Sequence, residues 1–99
     1  MALMEISVVP LGTSSPSVSD FIAKALKIIK DSGLKYELTP MATVIEGDIP
    51  QLLKIVEQIH SSLFDDQVKR IVTTIKIDDR RDKEITFKSK IQSVLKKLD

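Results

Sequence analysis

The sequence predicts an α+β sandwich built on a split β-α-β plan, and three observations carry that prediction. Apolar residues switch between a period of two and a period near 3.6, in the order strand, helix, strand, strand, helix, strand, helix. Turn residues stand at the joints: Gly12-Thr13-Ser14-Ser15-Pro16, Ser32-Gly33, Thr39-Pro40-Met41 and Glu46-Gly47-Asp48. The two helix-flanked halves echo each other, and no other internal repeat or low-complexity run interrupts them.

The first strand is predicted over Leu3 to Pro10, where Met4, Ile6 and Val8 alternate with more polar neighbours. From Val18 the period becomes helical, with Val18, Phe21, Ile22, Ala25, Leu26 and Ile29 on one stripe and Lys24, Lys27 and Lys30 opposite. Ser15 ahead of Pro16, or Ser17 with Asp20 three residues on, supplies the N-cap, and Gly33 the stop. Lys35 to Thr39 and Ala42 to Glu46 are the two central strands, bent apart at Pro40. Asp48 caps a second helix, Pro50 sits in its first turn, and Leu52, Leu53, Val56, Ile59 and Leu63 form its apolar side until Asp65-Asp66. Arg70 to Asp78 is the fourth strand, Asp79 to Lys83 a solvated loop, and Phe87, Ile91, Val94, Leu95 and Leu98 mark a terminal helix. The β-α-β-β-α-β order is the ferredoxin-like plan, here with an extra C-terminal helix.

Alternation assigns faces. Met4, Ile6, Val8, Tyr36, Leu38, Val44, Ile71 and Ile75 are expected to meet the helices. Glu5, Ser7, Val9, Glu37, Thr39, Thr43, Ile45, Val72, Thr74 and Lys76 fall on the other face, a mixture too apolar for water and too polar for a dry core. An antiparallel sheet tolerates one wet face; pairing with a second copy, face to face or edge to edge, accounts for the apolar content better.

Composition narrows the chemistry. Ninety-nine residues suit one domain, 1–99. Fifteen basic and fourteen acidic residues leave a charge of +1, which offers no field for nucleic acid or a membrane surface. No cysteine is present, so disulfides, thiolate nucleophiles and cysteine metal sites are excluded. One histidine leaves little for zinc or iron. No apolar run reaches the roughly 20 residues that span a bilayer, and Met1 to Glu5 lacks a basic leader region, so the expected location is the cytoplasm.

Chemistry-bearing groups concentrate between Tyr36 and Asp48, where a ring, several hydroxyls and two carboxylates gather around the Pro40 bend. Tyr36 could stack on a heterocycle or hold a cation, although a half-buried strand tyrosine filling the core is the plainer reading. Thr39, Thr43, Thr73 and Thr74 offer hydroxyls but are also ordinary strand residues. Glu46, beside a glycine, could take a ligand amine or ring nitrogen, or simply face water. His60 stands alone on the second helix with no activated nucleophile near it, which argues against an enzyme. The Gly12 to Ser15 loop lacks the glycine spacing of a phosphate loop.

Four segments, Val9-Pro10-Leu11-Gly12-Thr13, Ser32-Gly33-Leu34-Lys35-Tyr36, Thr39-Pro40-Met41-Ala42-Thr43-Val44-Ile45-Glu46-Gly47 and Arg70 to Asp78, resemble the small thiamine-binding protein family, which is related to the YkoF thiamine-binding proteins. The resemblance covers nearly the whole chain, and the Pro-Met-x-Thr-x-Ile-Glu-Gly stretch is its most specific part. It implies a ferredoxin-like domain that self-associates through its sheets into dimers or tetramers. It also implies binding of thiamine, or its hydroxymethylpyrimidine moiety, without transformation and without a cofactor or metal, as carrier, buffer or sensor. Tyr36, Thr43 and Glu46 would line the pocket, with Pro10, Thr13, Thr39 and Thr73 beside them. Glu46 and a threonine would meet the aminopyrimidine edge, and Tyr36 or Glu37 the thiazolium cation. The competing expectation is an oligomeric structural or regulatory module with another effector at its subunit interface.

Overall fold

The computed structural model describes residues 1–12 and 19–98. Its elements run β1 (Ala2–Leu11), α1 (Ser19–Asp31), β2 (Tyr36–Leu38), β3 (Thr43–Gly47), α2 (Ile49–Ser62), β4 (Arg70–Asp78) and α3 (Phe87–Leu95). The strands form one antiparallel sheet in the order β2-β3-β1-β4, and α1 and α2 cover one face. This is the ferredoxin-like α+β fold with the added terminal helix. The proposed caps of the first helix at Ser15 or Ser17 lie outside the described residues.

The core forms where the inner stripes of the helices meet the sheet: Ala25 and Ile29 from α1, Leu52, Ile55 and Ile59 from α2, and Met4, Ile6, Val8 and Ile45 below them. Met4, Ile29, Ile45, Leu52, Ile55 and Ile59 are fully buried, each burial contributing about 1.5–3 kcal/mol before entropy is charged against it. Gly33 ends α1 with a φ of 77°, a left-handed value that glycine adopts freely. Gly47 matters for space instead: a Cβ there would lie 3.0 Å from Leu34 Cδ1 and 3.3 Å from Leu52 Cδ2. Asp48 N–H donates to Gln51 Oε1 at 3.0 Å, which closes the start of α2.

The phase expected for β3 is corrected. Register places Ile45 opposite both Met4 and Tyr36, and Thr43 opposite both Ile6 and Leu38. Thr43 and Ile45 therefore share the helix-covered face, while Val44 and Glu46 point to the other. The cause is the four-residue turn between Leu38 and Thr43, which sets the hairpin register; a slip of one residue exchanges the two faces. Thr43-Val44-Ile45 is apolar enough on both sides that alternation alone does not choose.

The second face carries α3, held at its start and free beyond. Thr86 Oγ1 accepts from Ser89 N–H at 3.0 Å as an N-cap. Glu46 Oε1 accepts from Phe87 N–H at 2.6 Å, and Lys90 pairs with Asp78. No residue of α3 is buried, and Ile91, Val94, Leu95 and Leu98 are between 48% and 74% exposed. The radius of gyration is 15.1 Å, above the roughly 13 Å of a compact chain this long.

Candidate functional site

The feature with the chemistry of a binding site follows from a mismatch in strand length. β3 pairs with β1 only as far as Ile6 opposite Thr43, whereas β4 follows β1 to Leu11 opposite Arg70. Past Ile6, alternate residues of β1 direct their N–H and C=O away from β4 with no strand to receive them. Among the described residues, no backbone hydrogen bond joins this part of β1 to the Thr39–Ala42 turn. A cleft of about 430 Å³ occupies the gap, within the size range of small-molecule pockets. Ser7 to Val9 form one wall, Leu38 to Thr43 the other, and Ile22, Ala25, Leu26 and Ile29 of α1 the roof.

The turn forming the second wall is fixed from within. Thr39 N–H donates to Ala42 C=O at 2.9 Å, and Thr39 Oγ1 donates to the same carbonyl at 2.8 Å. That oxygen also accepts from Ala42 N–H at 3.1 Å and Met41 N–H at 3.3 Å. Thr39 is thus committed to holding the loop, as threonine side chains do at turns. Thr43 differs. It is 8% exposed, its hydroxyl makes no hydrogen bond among the described residues, and it is not a sealed, unsatisfied atom. Its free bonding capacity opens on the cleft. Met41, 87% exposed, stands at the mouth as a flexible apolar cover. Among the described residues no charged side chain lines the space.

The seven sequence candidates separate. Thr39 and Thr43 line the cleft. Pro10 is buried farther along β1. Tyr36 shares the helix-covered face with Thr43 but packs against the core. Glu46, three residues after Thr43 on one strand, points from the opposite face and is 6% exposed beneath the start of α3. Thr73 lies on β4, where its hydroxyl meets His60 Nδ1 at 2.8 Å. Thr13 lies outside the described residues. The expected convergence of Tyr36, Thr43 and Glu46 on one hollow therefore does not occur within the chain.

The α1 roof and the Ser7 to Val9 wall are not among the sequence candidates, which on β1 include only Pro10. Ile22, Ala25 and Leu26 read as core stripe, and the one available signal was that the β1 run is longer than the β3 run. Three more open hollows have charged groups in their linings: a polar groove of about 550 Å³ between α1 and α2, one of about 530 Å³ between Asp48 and the Asp79–Glu84 loop, and one of about 300 Å³ beside α3, lined in part by Lys35, Glu37, Phe87 and Ile91. The displaced titrations lie away from the cleft. Backbone donors Val68 and Gln67 hold the Asp65 carboxyl below its ordinary range, and Arg80 does the same for Asp82. Among the described residues no cluster suits a metal, and no helix is long and apolar enough to cross a membrane.

A family model described as thiamine-binding protein matches residues 4–95. The chain belongs to that family. YqgV of Bacillus subtilis is 43% identical over 102 residues, covering 99% of this chain and 98% of YqgV. A crystal structure of a hypothetical protein from Methanocaldococcus jannaschii superposes with a TM-score of 0.87 at 39% identity, covering 94% of each chain. A putative thiamine biosynthesis/salvage protein from Thermotoga maritima superposes at 0.79 with 27% identity, covering 94% of this chain and 97% of that one.

Proposed function

We propose that residues 1–99 form a non-catalytic, cytoplasmic binding domain for thiamine, seated by its hydroxymethylpyrimidine moiety in the β1–α1–hairpin cleft, as carrier, buffer or sensor. The observation that carries this reading is the cleft's chemistry: an uncharged slot with the Thr43 hydroxyl and the unpaired edge of β1 inside it. An aminopyrimidine is flat and presents alternating donors and acceptors on one edge, which a strand's N–H and C=O can match. The thiazolium is a fixed cation, and burying it in this uncharged lining without a carboxylate is costly. It belongs at the mouth. Family membership and the thiamine-related description of the Thermotoga maritima structure support the ligand class. Glu46 is left out of the site because its carboxylate serves α3 from the other face.

Self-association into dimers or tetramers is part of the same proposal, since Val9, Val72 and the α3 stripe leave apolar surface in water. That surface also motivates the second reading, an assembly module whose effector sits elsewhere. Calorimetric titration with thiamine separates the two. The expected result is saturable binding, weakened about tenfold or less in Thr43→Val, where one neutral hydrogen bond is lost, and abolished in Ala42→Phe, where a ring fills the slot. No heat with the unaltered protein, or an unchanged isotherm in Ala42→Phe, would remove the cleft from consideration.

A further inference from the structure

The turn at the mouth of the cleft has used up its donors. Thr39 N–H donates to Ala42 C=O, Met41 N–H and Ala42 N–H both donate to Thr39 Oγ1, and Pro40 has no N–H to offer. The Thr39 hydroxyl proton is committed as well, to Ala42 C=O. The acceptors are left over: among the described residues no hydrogen bond ends on the backbone carbonyl of Thr39, Pro40 or Met41. Backbone that presents carbonyls and withholds its N–H groups is the inverse of an anion-binding nest.

Neighbouring cations do not make up the deficit. Among the described residues neither lysine nor arginine lines the cleft, and the stretch 13–18 that follows β1 contains neither in its sequence. On α1, Lys27 pairs with Asp31, and Lys24 is within electrostatic reach of Asp65 in the α2–β4 connection. Arg80 and Arg81 bond Asp82 and Asp79 around a separate hollow beside Met1 and Asp48, at the other end of the sheet.

We infer that this rim selects the ligand by charge: the cleft takes free thiamine and discriminates against its phosphate esters, with Thr39 setting the preference by consuming the turn's N–H groups. This deepens the reading above and rests on its seating of the ligand. With the pyrimidine inside and the thiazolium at the mouth, a phosphate on the thiazolium's hydroxyethyl arm would emerge beside the turn. There it would exchange water for carbonyl oxygens and the apolar Met41, and no donor would replace the hydrogen bonds it gave up. The thiazolium, a cation without donors of its own on nitrogen, is suited by the same carbonyls. Specificity of this kind comes from denying partners to the wrong ligand. Thr39 is thus a positioning residue, acting through the loop it closes.

Calorimetric titration with thiamine, thiamine monophosphate and thiamine diphosphate, without divalent cations, tests the inference; circular dichroism confirms folding of each variant. The unaltered chain is expected to bind the diphosphate about tenfold more weakly than thiamine, or weaker still. Thr39→Val releases the Met41 and Ala42 N–H groups and should shrink that ratio, whereas simple loosening of the site would lower both affinities and leave it unchanged. Thr39→Ser, which keeps the hydroxyl, should keep the ratio. Met41→Lys, at a position 87% exposed and so without risk to the core, places a cation at the rim and should shrink the ratio too. Diphosphate bound as tightly as thiamine by the unaltered chain overturns the charge selection while the cleft's assignment stands. A ratio unmoved in both Thr39→Val and Met41→Lys overturns the role of the turn. No binding of thiamine at all removes the inference together with the reading beneath it.

Discussion

The two flanks of β1 are built differently. At one edge the β2–β3 hairpin is short and turns away from β1 after Thr43, leaving a slot beneath α1. At the other, β4 keeps pace with β1 for nine residues, and among the described residues no strand pairs with its outer side. The difference comes from length and turn chemistry more than from composition. Thr39 closes the hairpin tightly enough to stop β3 early, whereas the α2–β4 connection delivers β4 fully extended. A gap between strands suits a small flat molecule; an unbroken border suits another strand.

β1 borders both the slot and β4, so damage to it should affect them together. Met4, fully buried at the centre of the sheet, provides the test. Met4→Ala should lower stability by about 2–5 kcal/mol in a urea titration, degrading ligand binding and association alike. Loss of one without the other would show that the edges do not share this support.

Glu46→Ala should have the next largest effect, and it sharpens the separation between the faces. Removing the carboxylate leaves the Phe87 N–H without its acceptor, which costs about 1–3 kcal/mol when such a group stays buried. Thermal unfolding should register that loss while thiamine affinity is unchanged. A large fall in affinity would instead connect the cleft to α3 through the sheet.

The smallest effect concerns the turn that launches β4. Asp65 Oδ1 accepts from Gln67 N–H and Val68 N–H at 2.8 Å each, and these donors lower its pKa from the ordinary 3.8. A carboxylate with a depressed folded pKa contributes stability that is complete above the unfolded value and lost as pH falls through the folded one. Asp65→Asn should therefore flatten the acid limb of a stability–pH profile below about pH 4, leaving the cleft untouched. An unaltered limb would remove Asp65 from the acid response.

Much of the fold was legible because periodicity and punctuation agreed. Arg70–Asp78 was bounded correctly from its alternating isoleucines, and Gly33, Asp48 and Pro50 marked helix ends where the structure has them. The site was less legible. Thr39 and Thr43 are among the candidates and line the cleft, but Glu46, which the resemblance groups with Thr43, stands three steps along the same strand and so on the other face. Tyr36 followed the plainer alternative of core packing. The cleft itself comes from where β3 stops relative to β1, a relation between distant segments that no local pattern states. The exposure of α3 is similar: its apolar stripe was visible, but not that the chain leaves it uncovered.

Amide chemical shifts followed while thiamine is titrated into the isotopically labelled protein address the central claim most directly. Saturable shifts should gather at Ser7 to Val9, the Thr39–Thr43 wall and Ala25–Leu26 of α1, and leave Phe87 and Ile91 still. Shifts centred instead on Lys35, Glu37 and Phe87, or none at saturating thiamine, would contradict the assignment of the cleft as the ligand's seat.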